Sequence, residues 1–194
     1  MTVRRTSRRS SAARQRLSAS GQSVVEFALI VPILVVLVLA VVDMARIYTT
    51  MIAVESAARE AADYGTFGSQ RWNPLSFSTI TRPAMQQRAC VASKNLPDYV
   101  GPDDSCTNPT MTVQVSGDKG MTWQSDPSAV APACDDETRT PPCWMKVTLS
   151  YDFHLIAPLN IEAFGVRFGF PSTITIVRSS VFATTDLSLP TPTP

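Results

Sequence analysis

From Val24 to Val42 the chain runs nineteen residues in which every position except Glu26 and Pro32 is apolar. A stretch that is apolar all round has no wet face, so it lies in a large core or in lipid. As a helix it spans roughly 28 Å, close to the hydrocarbon thickness of a bilayer. This predicts a membrane span. Beyond it the pattern changes rather than stops. Ile47, Met51, Val54, Ala58 and Ala61 recur at spacings of four and three, the single stripe of a helix packed against a neighbour. Asp43 with Arg46, Glu55 with Arg59, and Arg59 with Asp63 are placed to pair on the polar side. A continuous helix from Gln22 to Tyr64, roughly 64 Å long, is therefore expected, with Gly65 and Gly68 ending it.

The second half of the chain reads as sheet. Met145, Val147, Leu149, Tyr151 and Phe153 alternate with Trp144, Lys146, Thr148, Ser150 and Asp152, a two-residue period with one apolar face. Thr173 to Ala183 alternates in the same way, although Val177 and Val181-Phe182 blur its register. Met111 to Val115 predicts a shorter strand, with Gly117-Asp118-Lys119-Gly120 as a turn and Met121 to Gln124 as its hairpin partner. A short helix is expected from Ile80 to Asn95, with Pro83 in its first turn. Asn73-Pro74 and Asn108-Pro109 read as turns, and residues 125–142 as a long loop. The apolar, glycine-punctuated stretch from Pro158 to Phe170 is expected beneath the sheet or at a membrane surface, and Pro190 to Pro194 as an extended tail.

Two residues within the apolar run are not needed by a plain anchor. A carboxylate near a bilayer centre costs about 2.5 kcal/mol or more, so Glu26 sits at the interface or has a functional partner. Pro32 lacks a backbone donor and crowds the carbonyl of Ala28, which loosens or kinks a helix. Gly21, followed by Glu26 at the junction of an arginine-rich leader and an apolar helix, resembles a prepilin peptidase site. Together with Glu26-Phe27-Ala28, Pro32 and Ala57-Ala58-Arg59-Glu60-Ala61-Ala62, it resembles the TadE-like family, the pseudopilin-like proteins of tight-adherence (Flp-type) pilus systems.

The resemblance covers residues 20–65 and implies a concrete picture. The fold is α+β: a long N-terminal transmembrane helix continuing as a stalk, then a small antiparallel β-sheet domain outside the cytoplasm, pilin-like. Residues 1–21 form the leader, 22–64 the helix and stalk, 65–189 the outer domain and 190–194 the tail. Cleavage falls between Gly21 and Gln22, whose new amino terminus is then open to methylation. Glu26, Phe27 and Pro32 belong to helix assembly. Ala57, Ala58, Ala61 and Ala62 permit close packing against the chain's own sheet, against another molecule, or against both on different faces. The implied partners are the lipid bilayer, a prepilin peptidase, other pilin-like subunits and the pilus assembly platform.

Charge sharpens the topology. The formal net charge is +1, but Arg4, Arg5, Arg8, Arg9, Arg14 and Arg16 lie in the first twenty residues with no acid among them. The remainder holds eleven basic residues against sixteen acidic. Arginine is retained on the cytoplasmic side, which predicts a single-pass protein of the cytoplasmic (inner) membrane, N-terminus inside and C-terminal domain outside. Beside a span, such a basic head sets orientation rather than binding nucleic acid. Without apolar periodicity, residues 1–20 are expected to be disordered. An ordinary signal peptide fits less well, because Glu26 and Pro32 interrupt the core and charge follows it at Asp43 and Arg46.

The four cysteines, Cys90, Cys106, Cys134 and Cys143, all follow the span. Outside the cytoplasm they favour disulfides, and Cys90–Cys106 with Cys134–Cys143 closes the shortest loops; free buried thiols are the alternative. Catalytic chemistry is not visible. The single histidine, His154, lies within a strand, no nucleophile or phosphate-loop motif occurs, and Asp135-Asp136-Glu137 reads as solvated surface rather than a calcium site. No enzyme activity, metal or cofactor is expected. The alternative function is a membrane-anchored binding module or envelope enzyme for which the helix is only a tether. A TadG-like relative is disfavoured by the short external part.

Overall fold

The computed structural model describes residues 11–67, 72–73, 76–130, 134, 141–156, 160–163, 166–169 and 171–184. Helix α1 runs from Ser11 to Thr66 and continues through Pro32. It begins earlier than expected: Ser11 to Ser20, read from composition as disordered, is helical, while residues 1–10 lie outside the description. Alanine, arginine and glutamine in that segment are good helix formers, and propagation from an existing helix avoids the cost of a new nucleus. The chain divides into two compact units, Met1–Met44 and Ala45–Pro194.

In the second unit a π-helical turn, Phe77–Thr81, leads into α2, Arg82–Ser93, with Pro83 in its first turn as expected. Strands β1 (Thr110–Ser116), β2 (Trp144–His154) and β5 (Thr173–Ala183) form an antiparallel sheet in the order β1-β2-β5. The α+β class therefore holds. In β2 the alternation is the one the sequence carries: Met145, Val147, Leu149, Tyr151 and Phe153 are fully buried, and their neighbours are not. Register pairs Val113 with Val147 and Val115 with Met145, so β1 turns its apolar residues to the same face.

Two expectations change. Met121 to Gln124 is no full hairpin partner; a single bridge joins Val115 to Gln124, with reciprocal backbone bonds of 2.7 and 2.8 Å. The turn before it closes on side chains. Asp118 accepts from Thr122 Oγ1 and N, and Ser116 Oγ donates to Asp118 and accepts from Gly120 N, which binds the chain locally instead of extending a ladder. The stretch between β2 and β5 forms a second antiparallel pair, β3 (Asn160–Ala163) with β4 (Val166–Gly169), where the sequence suggested an apolar stretch beneath the sheet or at a membrane surface. The acidic triplet at Asp135 and the tail from Pro190 lie outside the described residues.

The core of the second unit forms where the later turns of α1 meet the inner face of the sheet. Val54, Ala57, Ala58, Ala61 and Ala62 share one cluster with Met85, Val113, Val115 and the buried face of β2. Small residues bring the helix close. A Cβ on Gly65 would lie 2.6 Å from Met145 Sδ and 2.8 Å from Met85, so this glycine, read as a helix terminator, is an approach point one residue before the helix end. Arg46 lies over the Phe153 ring at 4.8 Å, and Arg88 of α2 over Tyr64 at 4.7 Å while also 3.8 Å from Glu60.

The loop after α2 is fastened twice. Disulfide Cys90–Cys106 closes its base, and Gly101, at φ +117°, makes a turn in which a Cβ would lie 2.8 Å from Cys106 Cα. Further along, the Asn108 side chain donates to the carbonyls of Asp98 and Asp152 and accepts from Asp152 N. Asp98 N donates to Tyr151 Oη, and the Asp98 carboxylate accepts from His154 N and faces His154 Nδ1 at 3.3 Å. His154 thus ties a loop to the end of β2. The second disulfide joins Cys134 to Cys143 at the start of β2.

Candidate functional site

The stretch singled out by the sequence, Gly21 to Pro32, lies on α1 within the first unit. Its apolar side chains are exposed: Val24 at 65 %, Phe27 at 66 % and Leu29 at 70 %. The same holds for Ile33, Leu37, Val38 and Val41. A helix this apolar cannot present that surface to water, and α1 is one helix long and apolar enough to cross a membrane. It is a candidate span of a single-pass membrane protein.

Gly21 has no packing reason to be glycine. A Cβ placed there meets nothing within 4 Å, and its φ lies in the ordinary helical range. Glycine inside a helix costs about 1 kcal/mol relative to alanine, so here it weakens α1 and no close approach offsets the loss. Glu26 is not bare. Gln22 Nε2 donates to Glu26 Oε1 at 3.0 Å, one turn apart on the same face. Sequence reasoning overlooks that partner, although a Gln and a Glu four residues apart signal it, because the cleavage reading draws on the backbone nitrogen of Gln22 instead. A neutral amide satisfies one carboxylate oxygen but does not cancel the charge.

The four alanines lie elsewhere. Ala57, Ala58, Ala61 and Ala62 are fully buried in the core of the second unit, so their close packing is within the chain. Intramolecular packing, one of the arrangements the sequence allows for this patch, is present in the fold. These alanines belong to the second unit, whereas Gly21, Glu26, Phe27 and Pro32 belong to the first. On the polar side of the same helix, Arg59 pairs with Glu55 as the spacing predicts. The cysteines occupy two disulfides in the shortest-loop arrangement, and no described cysteine is free. Among the described residues, no group of three or more His, Cys, Asp or Glu side chains converges as a metal site.

A junction glycine whose Cβ would meet nothing, a carboxylate one turn into an apolar helix, and an apolar surface left unburied mark this stretch as a candidate membrane span. Residues 21–63 match the family of TadE-like proteins. The match begins at Gly21, takes in Glu26, Pro32 and the alanine patch, and ends before the sheet. It supports a Tad/Flp pilus-related function in general, in association with pilus assembly components. Comparison with curated proteins and with solved structures gives no match.

Proposed function

We propose that the chain is a minor pseudopilin or assembly component of a Flp-type pilus system. A prepilin peptidase cleaves it after Gly21, and the mature protein packs against other pilin-like subunits through its N-terminal helix. It sits in the cytoplasmic membrane with the basic leader inside and the disulfide-bonded sheet domain outside, and it acts by assembly rather than catalysis. The observation that carries this reading is Gly21: a helix-weakening residue in open space, shortly before the one carboxylate of the apolar run. A peptidase must draw its substrate out of helical geometry to reach the peptide bond, and glycine lowers that cost.

After cleavage Gln22 would carry the new amino group. Its side-chain amide already meets Glu26 within the same helix, which leaves the Glu26 charge to be balanced by an amine, best supplied by a neighbouring subunit. Such pairing neutralises both charges in a medium where either alone is costly, and it fixes the stagger of adjacent helices. The disulfides and the loop bolted by Asn108 suit a domain outside the reducing cytoplasm.

Intact mass and N-terminal sequencing of membrane-extracted protein, with the cognate peptidase present, test the processing step. A start at Gln22 is expected; a chain still beginning near Met1 rejects it. Glu26→Gln should insert and be cleaved normally yet lose crosslinks to pilin-like partners and pilus output. If residues 22–42 can be exchanged for a leucine-rich anchor with no loss of piliation, the helix is a tether and the proposal fails.

A further inference from the structure

The face of the sheet turned away from the core carries a pocket that helix assembly does not use. Thr112 and Gln114 of β1 stand across from Thr148 and Lys146 of β2. With Val113, Ser125 and Arg82 from the first turn of α2, they line an open cavity of about 390 Å³. Its size falls in the lower part of the range of small-molecule sites, about 300–1,000 Å³.

The chemistry of the lining is one-sided: two cations and no acid. Arg59 pairs with Glu55, Arg88 with Glu60 and Lys94 with Asp103, all away from this lining. Lys146 Nζ lies 4.9 Å from the centre of the Trp123 ring, a contact that leaves its charge intact. The acid next to Ser125 is not part of the lining; Asp126 Oδ1 accepts from Ser128 N at 2.9 Å. Asp118, held by Thr122 and Ser116 in the turn after β1, does not line it either. Two positive groups lining one cavity that no acid lines favour an anion there. The other polar groups, Thr112, Thr148, Ser125 and Gln114, are neutral and both donate and accept, the complement of a ligand rich in hydroxyls.

We propose that this cavity binds an anionic sugar, a monosaccharide unit bearing a phosphate or a carboxylate. Arg82 and Lys146 take the anionic group, and Thr112, Thr148, Gln114 and Ser125 take the ring hydroxyls. The inference stands apart from the pilus reading, because it uses no residue of the apolar helix.

The full chain, held in micelles of a zwitterionic detergent that carries no sugar, is titrated by calorimetry with glucose 1-phosphate, glucuronate, glucose and inorganic phosphate. Saturable binding of at least one anionic sugar is expected, with glucose and inorganic phosphate each weaker by about tenfold or more. Charge-assisted hydrogen bonds are of a size that gives losses of about tenfold to a hundredfold. The double variant Arg82→Gln with Lys146→Gln should show such a loss while keeping the parent's thermal midpoint. Absence of saturable binding by both anionic sugars overturns the proposal, and so does undiminished binding in the double variant. Inorganic phosphate binding as tightly as glucose 1-phosphate overturns the sugar component.

Discussion

The two halves of α1 obey the same helical period and bury opposite amounts of themselves. Around Val24 to Val42 most side chains are large and exposed, and none is buried. From Val54 to Ala62 the core-facing positions are valine and alanine, and they are fully buried. Bulk needs a soft solvent such as lipid or a partner helix that can mould around it. Alanine serves a rigid sheet that the helix must approach closely, as Gly65 does against Met145. Hydrophobicity alone therefore does not say what a helix packs on; side-chain size and the width of the apolar face do.

The contrast breaks most visibly at the aromatic residues of the two regions. Phe153→Ala removes a fully buried ring from the core and should cost about 3–5 kcal/mol, read as a lower urea midpoint of tryptophan fluorescence in micelles. Phe27→Ala, on the exposed helix, should leave that midpoint within about 0.5 kcal/mol of the parent. Equal losses in both would erase the distinction.

Covalent fastening belongs to the second region alone. Replacing both members of either disulfide pair with alanine should cost about 2–4 kcal/mol, slightly more for Cys90–Cys106, whose members are 16 residues apart, than for Cys134–Cys143, 9 apart. Non-reducing peptide mapping of protein taken directly from the envelope checks the pairing itself. Four alkylatable thiols there would refute it.

Size is the next lever. Ala58→Leu forces bulk into a filled contact and should cost about 1–3 kcal/mol in the same urea assay, whereas Val35→Leu on the exposed half should be neutral. Insensitivity at Ala58 would mean that the helix does not press on the sheet.

A pH effect also separates the regions. Burial raises the Tyr151 phenol above its ordinary range, against the opposing hydrogen bond from Asp98 N. The folded state therefore holds this proton more tightly than the unfolded one. Its contribution is full below a pH of about 10 and is lost as pH rises through the raised folded value. Thermal midpoints of the parent should fall in that alkaline window, and Tyr151→Phe should flatten the fall. The smallest effect is expected on the wet side of α1: Arg59→Ala should change stability by less than about 0.5 kcal/mol, since its pair with Glu55 is exposed.

Much of the architecture is legible along the chain because it depends on local period. The span shows within nineteen residues, and the five-residue apolar face of β2, the turn into α2 at Pro83 and the junction of Gly21 with Glu26 each within a dozen or so. The start of α1 at Ser11 is not legible, because composition argues about solvation and says little of a helix extended from its neighbour. The pairing of β3 with β4 is hidden for a similar reason. Strands of four residues are too short to show alternation, and their identity comes from each other.

What must leave water, and where the chain changes character, follow from the order of residues: an apolar run too long and uniform for a small core, then patterns of period four-and-three and of period two. These are one-dimensional properties, set by side-chain chemistry and backbone geometry. Packing in three dimensions is what turns the alanine patch inward and makes Gly65 a contact rather than a stop. It also lets Asn108 bolt a loop to β2 and brings Arg82 and Lys146 to one cavity. Each of those facts depends on which of several allowed neighbours a residue meets, and that choice is made by how the folded segments come together.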